Sequence, residues 1–541
     1  MIFSFHLHFR ESTIFTKRQG AYAFGARQYQ PGNLDLQQKT YLDKTWNQKS
    51  EIRHTGIVEA MNFRLDASYQ LDANNSIGAN FGILRNPKQT TNGDMSTSIL
   101  QDGDLSESSD SHIDIFEQKS TLSSNVYYVG KLGKLGIDFN TDWLWSKNNE
   151  DVVTKEQYQE VGMDAQSQTV HSLTNKYYHL LASKLELSYP LLCGNLSLGG
   201  EYSNTHRTSK YQVVPTNLVS DDDSRITESM TSSFLTYSRD FGNLSMEAGL
   251  RYEYIDFNYY EYGKYVPEQS KSYGNWFPSI SLSMPVGKVQ MQLSYAADIN
   301  RPSYYYLRSG IQYANRYTYE TGNQFLVSEI RKNLNYELAY KWLTFDMTYS
   351  HTSNPIMSTV ETYKDNPVIG LMKPVNENSY NDVEASINLR PSFGIWYPSF
   401  TASVDKQWFD METHDGKSLN KPMASFRFDN TLDTKLGMFT WMMSYVTKGH
   451  EKNQYLYKPM FCTNVSAYKA FLKDRLSLEF FIYDLFGTSD THVIAHFGKM
   501  KETVHDGLST SKVSLTVRYK FNTTRSKYKG TGAGESQKNR M

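Results

Sequence analysis

The chain has 541 residues and a formal net charge of −1, with 57 acidic side chains set against 56 Lys and Arg. The basic residues are scattered rather than massed, which argues against a nucleic-acid partner. Aromatics reach 14%, with 40 Tyr, charged residues only 21%, and mean hydropathy is negative, too polar for a helical membrane protein; the longest apolar run, Met438 to Val446, falls well short of the roughly 18 residues a spanning helix needs.

In chain order, Met1 to Arg10 alternates, with Phe3, Phe5, Leu7 and Phe9 on one face and no basic region or small-residue cleavage site of an export signal. It reads as the remains of a strand, with the start of the chain expected to be missing. Met61 to Leu71 alternates apolar and polar residues without a break, the pattern of a strand with one face in an apolar medium and the other in a polar one. The same pattern recurs at Leu135, Ile137, Phe139, Trp143 and Trp145, at Leu244, Met246, Ala248, Leu250, Tyr252 and Tyr254, and at Leu476, Leu478, Phe480 and Ile482. Tight connections are expected near Asp72–Asn75, Gly130–Lys134, Pro190–Asn195, Phe241–Asn243, Pro285–Lys288, Lys341–Trp342, Pro391–Gly394, Thr434–Gly437 and Leu472–Asp474, each a hairpin turn between alternating segments.

The connections between these hairpins are long and polar: Arg85 to His112, Ser146 to Lys176, Asn204 to Glu228, Asn258 to Asn275, Asn300 to Ser328, His351 to Asn378 and Gly487 to Thr510. Alternation alone would also suit a soluble sandwich. Short turns at one end and long loops at the other are the mark of an outer-membrane barrel, with periplasmic turns and extracellular loops. The expectation is therefore an all-β chain, a transmembrane antiparallel β-barrel of about 20–22 strands in the outer membrane, surrounded by its lipid. Residues 1–13 would be the partial strand, 14–521 the barrel and 522–541 a polar tail. Tyr69, Trp143, Trp145, Tyr252, Tyr295, Tyr349, Trp396, Trp441 and Tyr519 fit interfacial girdles.

After the strand Val289 to Ile299 come Arg301, Pro302 and Tyr304, and further on Gly322, Asn323, Leu326 and Glu329. This spacing resembles the barrel of Bacteroidetes TonB-dependent receptors, in the group called outer-membrane β-barrel family proteins, which carry an Arg-Pro-x-Tyr segment and then Gly-Asn-Pro-x-Leu-x-Pro-Glu. Gln324 and Ser328 stand where the family usually has proline, and Leu307 to Gly310 replaces a usual Leu-Asn-Pro-Phe. With fewer fixed φ angles this loop should be less rigid than in typical relatives. Val513 to Phe521 resembles the family's final strand and the terminal signal read by the barrel assembly machinery, with Tyr519 and Phe521 as its aromatics; Tyr528 to Gly534 matches a tail that similar proteins also carry. The resemblance implies an outer-membrane receptor that imports a large nutrient, coupled to TonB through a plug and working with a surface lipoprotein. No plug precedes the barrel in this sequence, so the transporter is expected to be incomplete without one. A non-transporting barrel, acting as an adhesin or structural protein, is the alternative.

Neither a phosphate loop, a nucleophile elbow nor a zinc-helix motif is present, and no enzyme, cofactor or metal is expected. Cys193 and Cys462 make no disulfide framework. His6 and His8 share a strand face without a third ligand, Asp221 to Asp223 lack the glycine punctuation of a calcium loop, and Asp405, His414 and His450 form no visible constellation. The better candidates for binding are Tyr304, Tyr305, Tyr306, Tyr313, Tyr317 and Tyr319, crowded into one extracellular loop. Exposed, they would stack on sugars or peptides; packed on one another, they would be a self-contained loop cluster.

Overall fold

The computed structural model describes residues 3–9, 17–507, 510–519 and 528–541. Among these residues one sheet holds 26 strands and a second holds four. Twenty-one strands of the larger sheet, from Phe3–Phe9 and Lys17–Tyr41 through Leu476–Tyr483 and Lys512–Tyr519, pair antiparallel in chain order. The first and last of them run in the same direction and lie side by side, so the wall curls round on itself. Closure suits a membrane protein, because lipid cannot satisfy the open edge of a sheet.

Each expected tight connection joins two wall strands at one rim. At the turn between Thr45–Gln70 and Ser76–Gln101 the Asp72 carboxylate accepts the backbone N–H groups of Asn74 at 2.7 Å and Asn75 at 2.9 Å, an Asx turn that reverses the chain without help from glycine. On the outer face, register places Ile137 opposite Leu187, Leu187 opposite Leu198, Leu198 opposite Leu235 and Leu235 opposite Leu250. This is one continuous apolar row across five strands. Leu198, Leu235 and Leu250 are exposed, as side chains facing lipid must be when no lipid is counted. Glu247 and Arg251 lie on the opposite face of the same strand, and further along it Glu253, Ile255, Phe257 and Tyr259 are buried toward the interior.

The long connections differ from the sequence expectation. Arg85 to His112 and Ser146 to Lys176 are largely strand: Ser76–Gln101 runs straight into Asp104–Leu132 through a turn at Asp102 and Gly103, and Leu135–Glu160 meets Gln166–Leu191 across a similarly short link. Asn204 to Glu228 and Asn258 to Asn275 are likewise shortened by the strands Gly194–Val214, Asp222–Phe241, Leu244–Glu261 and Lys271–Val286. A strand of 29 residues, such as Asp104–Leu132, far exceeds the about 9–11 needed to cross a bilayer. Beyond the apolar band the outer face no longer meets lipid, so alternation fades while backbone pairing continues. The wall therefore stands as a tall polar palisade above the membrane. Gly487 to Thr510 contains the hairpin Thr491–Phe497 and Met500–Asp506, which pairs with the upper part of Lys17–Tyr41 and carries the wall round at this level.

Inside the mouth sits the smaller sheet, made of Ile311–Asn315, Thr318–Thr321, Asn366–Asn376 and Ile356–Tyr363. Its strands come from the connections Asn300 to Ser328 and His351 to Asn378, which fold inward instead of projecting outward.

Candidate functional site

The inner loop is anchored to the wall through charged groups. Arg301, buried at the root of the loop, pairs with Glu253, itself buried on Leu244–Glu261. Tyr304, fully buried, donates its hydroxyl to Glu228 at 3.1 Å. Leu307 and Leu326 join Tyr178, Ile226, Met230, Ile255, Phe257 and Tyr259 in an apolar cluster on the interior face of the wall. Here the wall's inner alternation turns apolar because it faces protein rather than water.

Further out, the Tyr313 hydroxyl donates to Glu156 at 2.5 Å and its backbone N–H donates to the Tyr211 hydroxyl at 3.0 Å. Tyr317 and the Arg316 guanidinium both reach Glu107, at 3.1 Å and 2.6 Å. Burial pushes the hydroxyls of Tyr304, Tyr313 and Tyr317 upward, so they stay protonated and serve as donors to these carboxylates. Tyr305 gives its hydroxyl to Glu320 at 2.8 Å beneath the Arg308 guanidinium, 3.7 Å from its ring centre.

The expected binding tyrosines thus do not stand out as a free aromatic surface. Tyr304, Tyr313, Tyr317 and Tyr319 are buried and Tyr305 and Tyr306 partly so: Tyr304, Tyr313 and Tyr317 are drawn inward by hydroxyls bonded to wall carboxylates, and Tyr319 packs against the Tyr313 ring. Edges of Tyr313, Tyr317 and Tyr319 nevertheless line a cavity of about 860 Å³ at the mouth, together with Arg316, Glu107, Trp46 and Ile369. A second cavity, of about 440 Å³, lies deeper against Arg301, Pro302, Tyr306, Glu253 and Arg540.

Asn323, between the positions Gly322 and Gln324, ties the loop down at three points: its N–H bonds to the Tyr306 carbonyl at 2.6 Å, its side-chain amide to the Pro374 carbonyl at 3.1 Å, and its side-chain oxygen accepts the Phe325 N–H at 3.0 Å. A Cβ on Gly322 would stand 2.3 Å from the Arg308 carbonyl oxygen, so only glycine allows the two chain segments to touch. Glu329 accepts the backbone N–H of Ile356 at 3.1 Å, linking the two inward connections.

Residues 528–541, expected as a polar tail, pack inside the barrel. Ala533 and Gln537 are almost fully buried. Asn140 accepts the N–H groups of Thr531 and Gly532 at 3.1 Å and 3.2 Å, Glu201 accepts that of Gly534 at 2.6 Å, and Asp142 pairs with Lys538 at 2.5 Å. Gly534 has φ +71° and a Cβ there would lie 2.7 Å from that of Ala182. Arg540 ends the series: it pairs with Glu228 at 2.5 Å, donates to the Pro302 carbonyl at 2.9 Å and lies over the Tyr304 ring at 4.2 Å. Burial alone would discharge it; Glu228 outweighs burial and holds it firmly protonated.

Sequence reasoning missed the lumen carboxylates Glu107, Glu156, Glu201, Glu228 and Glu253. Their signal was present as acids at the polar positions of strands, but nothing local says which of them face a partner. Tyr519 lies on the last wall strand opposite Leu476, while Phe521 falls outside the described residues.

The family model described as "Outer membrane protein beta-barrel family" matches residues 130–519. No curated protein matches the sequence. Among solved structures, the ferric enterobactin receptor of Pseudomonas aeruginosa superposes with a TM-score of 0.52 at 11% identity, covering 94% of this chain and 80% of that one. The copper transporter OprC gives a TM-score of 0.53 at 9% identity, covering 90% and 80%. At such identities the likeness is one of fold. Together with the curled wall and its exposed apolar row, the match over most of the sequence shows that this chain belongs to the outer membrane protein β-barrel family.

Proposed function

We propose that the chain is the barrel of an uptake receptor that admits a large ligand from outside the cell, with energy delivered by TonB through a plug. One observation carries this reading. A single inward loop contributes Tyr313, Tyr317 and Tyr319 to the mouth cavity and Arg301, Pro302 and Tyr306 to the deeper one, so its displacement would join the two. Breaking the buried ion pairs that hold it requires an energy input, which is what a TonB-coupled receptor has. The mouth cavity offers aromatic edges and both signs of charge, suited to a polar solute with stackable rings or sugar faces. Assembly machinery acting on the last strand and a surface lipoprotein over the mouth are the partners this reading implies.

A second reading, a surface-binding barrel that does not transport, is favoured by the tail that fills part of the lumen. Accumulation of labelled glycans, peptides and metal chelates by expressing cells, measured with and without TonB, separates the two. Accumulation only with TonB supports uptake. Surface binding that is equal in both strains supports the second reading, and neither binding nor accumulation rejects both.

A further inference from the structure

We propose that His414, Asp415 and His496 form a binding site for a divalent transition-metal ion of the zinc class at the extracellular rim. The three sit on different connections. His414 and Asp415 belong to the link between Trp396–Trp408 and Met423–Thr434, and His496 to the strand Thr491–Phe497. A parallel bridge between Thr413 and Gly498 pins the link to the tip of the hairpin. The His414 ring then stacks on Tyr41, at the end of a wall strand, with centroids 3.9 Å apart and planes 3° from parallel. Asn453 fixes the backbone of His496 from both sides, its carbonyl accepting the His496 N–H at 3.0 Å and its side-chain amide donating to the His496 carbonyl at 3.0 Å.

Held this way, one ligand atom from each residue lies within 4.8 Å of the others. His496 is only 6% exposed, and Nδ1 of His496 and Nδ1 of His414 are buried without any hydrogen-bond partner. A buried ring nitrogen left unpaired is costly, and a metal ion between the two rings is a partner of the kind such a nitrogen lacks. Two imidazole nitrogens and one carboxylate are a borderline ligand set, suited to zinc, nickel or copper(II) rather than to calcium or magnesium. Three protein ligands leave a coordination position open to water or to a further ligand. Lys417 holds Asp415 at 2.7 Å and Lys501 lies opposite His496 in the hairpin; these cations compete with the metal. Among the described residues a second cluster, Asp490, His492 and His505, is more open, and its rings are partly engaged, His505 with Asp35 at 3.2 Å and His492 with the Tyr457 hydroxyl at 3.4 Å.

The test is calorimetric titration of zinc into the full chain, purified in detergent without a histidine tag and stripped with chelator. The expected result is a binding event lost in His496→Gln and His414→Ala, retained in His492→Ala, and strengthened several-fold in Lys417→Met, which removes the competitor for Asp415. The gain in Lys417→Met cannot arise from misfolding. Unchanged binding in His496→Gln, weaker binding in Lys417→Met, or no zinc binding by the parent chain would each overturn the proposal.

Discussion

Arg540, the penultimate residue, reaches across the lumen to Glu228 on the wall strand Asp222–Phe241, at 2.5 Å and with both side chains buried. The same carboxylate accepts the Tyr304 hydroxyl, so one wall acid holds both the end of the chain and the root of the inward loop. Removing one partner of a buried pair leaves an uncompensated charge and costs roughly 3–5 kcal/mol. Arg540→Met should therefore release the tail. Carboxypeptidase should trim the variant while leaving the parent C-terminus intact, and equal resistance of the two would show that the pair does not hold the tail.

The outer face gives a second prediction. Leu250 is exposed in a row with Leu235 and Leu198, whereas Glu247 on the same strand faces the interior. Leu250→Arg should lower stability by about 2–4 kcal/mol if the row lies near mid-membrane, and Glu247→Gln by much less. Denaturant titration in lipid vesicles measures the difference, and equal tolerance at the two positions would place the apolar row outside the membrane.

A third concerns the mouth. The Tyr313 hydroxyl is bonded to Glu156 and that of Tyr317 to Glu107, in a buried setting. A hydrogen bond to a charged group contributes about 1.5–3 kcal/mol, so Tyr313→Phe and Tyr317→Phe should each destabilise the inner sheet by that order. Limited proteolysis should then cut within Asn300 to Ser328, where the parent resists. Parent and variants cut at the same rate would mean that the carboxylates do not anchor the loop.

Acid should weaken the rim through His450. Burial, then the neighbouring charges of His496, Lys421 and Lys406, lowers its pKa to about 4 from the ordinary value near 6.5. The unfolded chain therefore binds a proton that the folded chain resists. The stability contributed by the neutral ring is full above pH 6.5 and is lost as pH falls through about 4. His450 Nδ1 accepts the Lys421 backbone N–H at 3.1 Å, an acceptor role that asparagine can keep without titrating. In His450→Asn the fall in melting temperature between these pH values should be smaller than in the parent; an identical pH profile would remove His450 from the account.

The wall was legible in the residues themselves. Asp72, Gly242 and Lys341 mark reversals by local chemistry, and Leu244 to Tyr254 declares its lipid face by a period of two, because a spanning strand meets two different media. Where the outer face has left the lipid and the inner one packs polar and apolar residues alike against the inward loop, as in Ser146 to Lys176, the period disappears although the strand does not, and only pairing between neighbours shows that it continues. The inner site was not legible. Tyr304 and Arg301 could be singled out by spacing, but their partners Glu228 and Glu253 lie far away in sequence, and Arg540 meets Glu228 across 312 positions. An acid on the polar face of a strand looks the same whether it meets water or a buried guanidinium. Which of these it meets is decided only when the closed wall brings the inward loop and the end of the chain into one lumen.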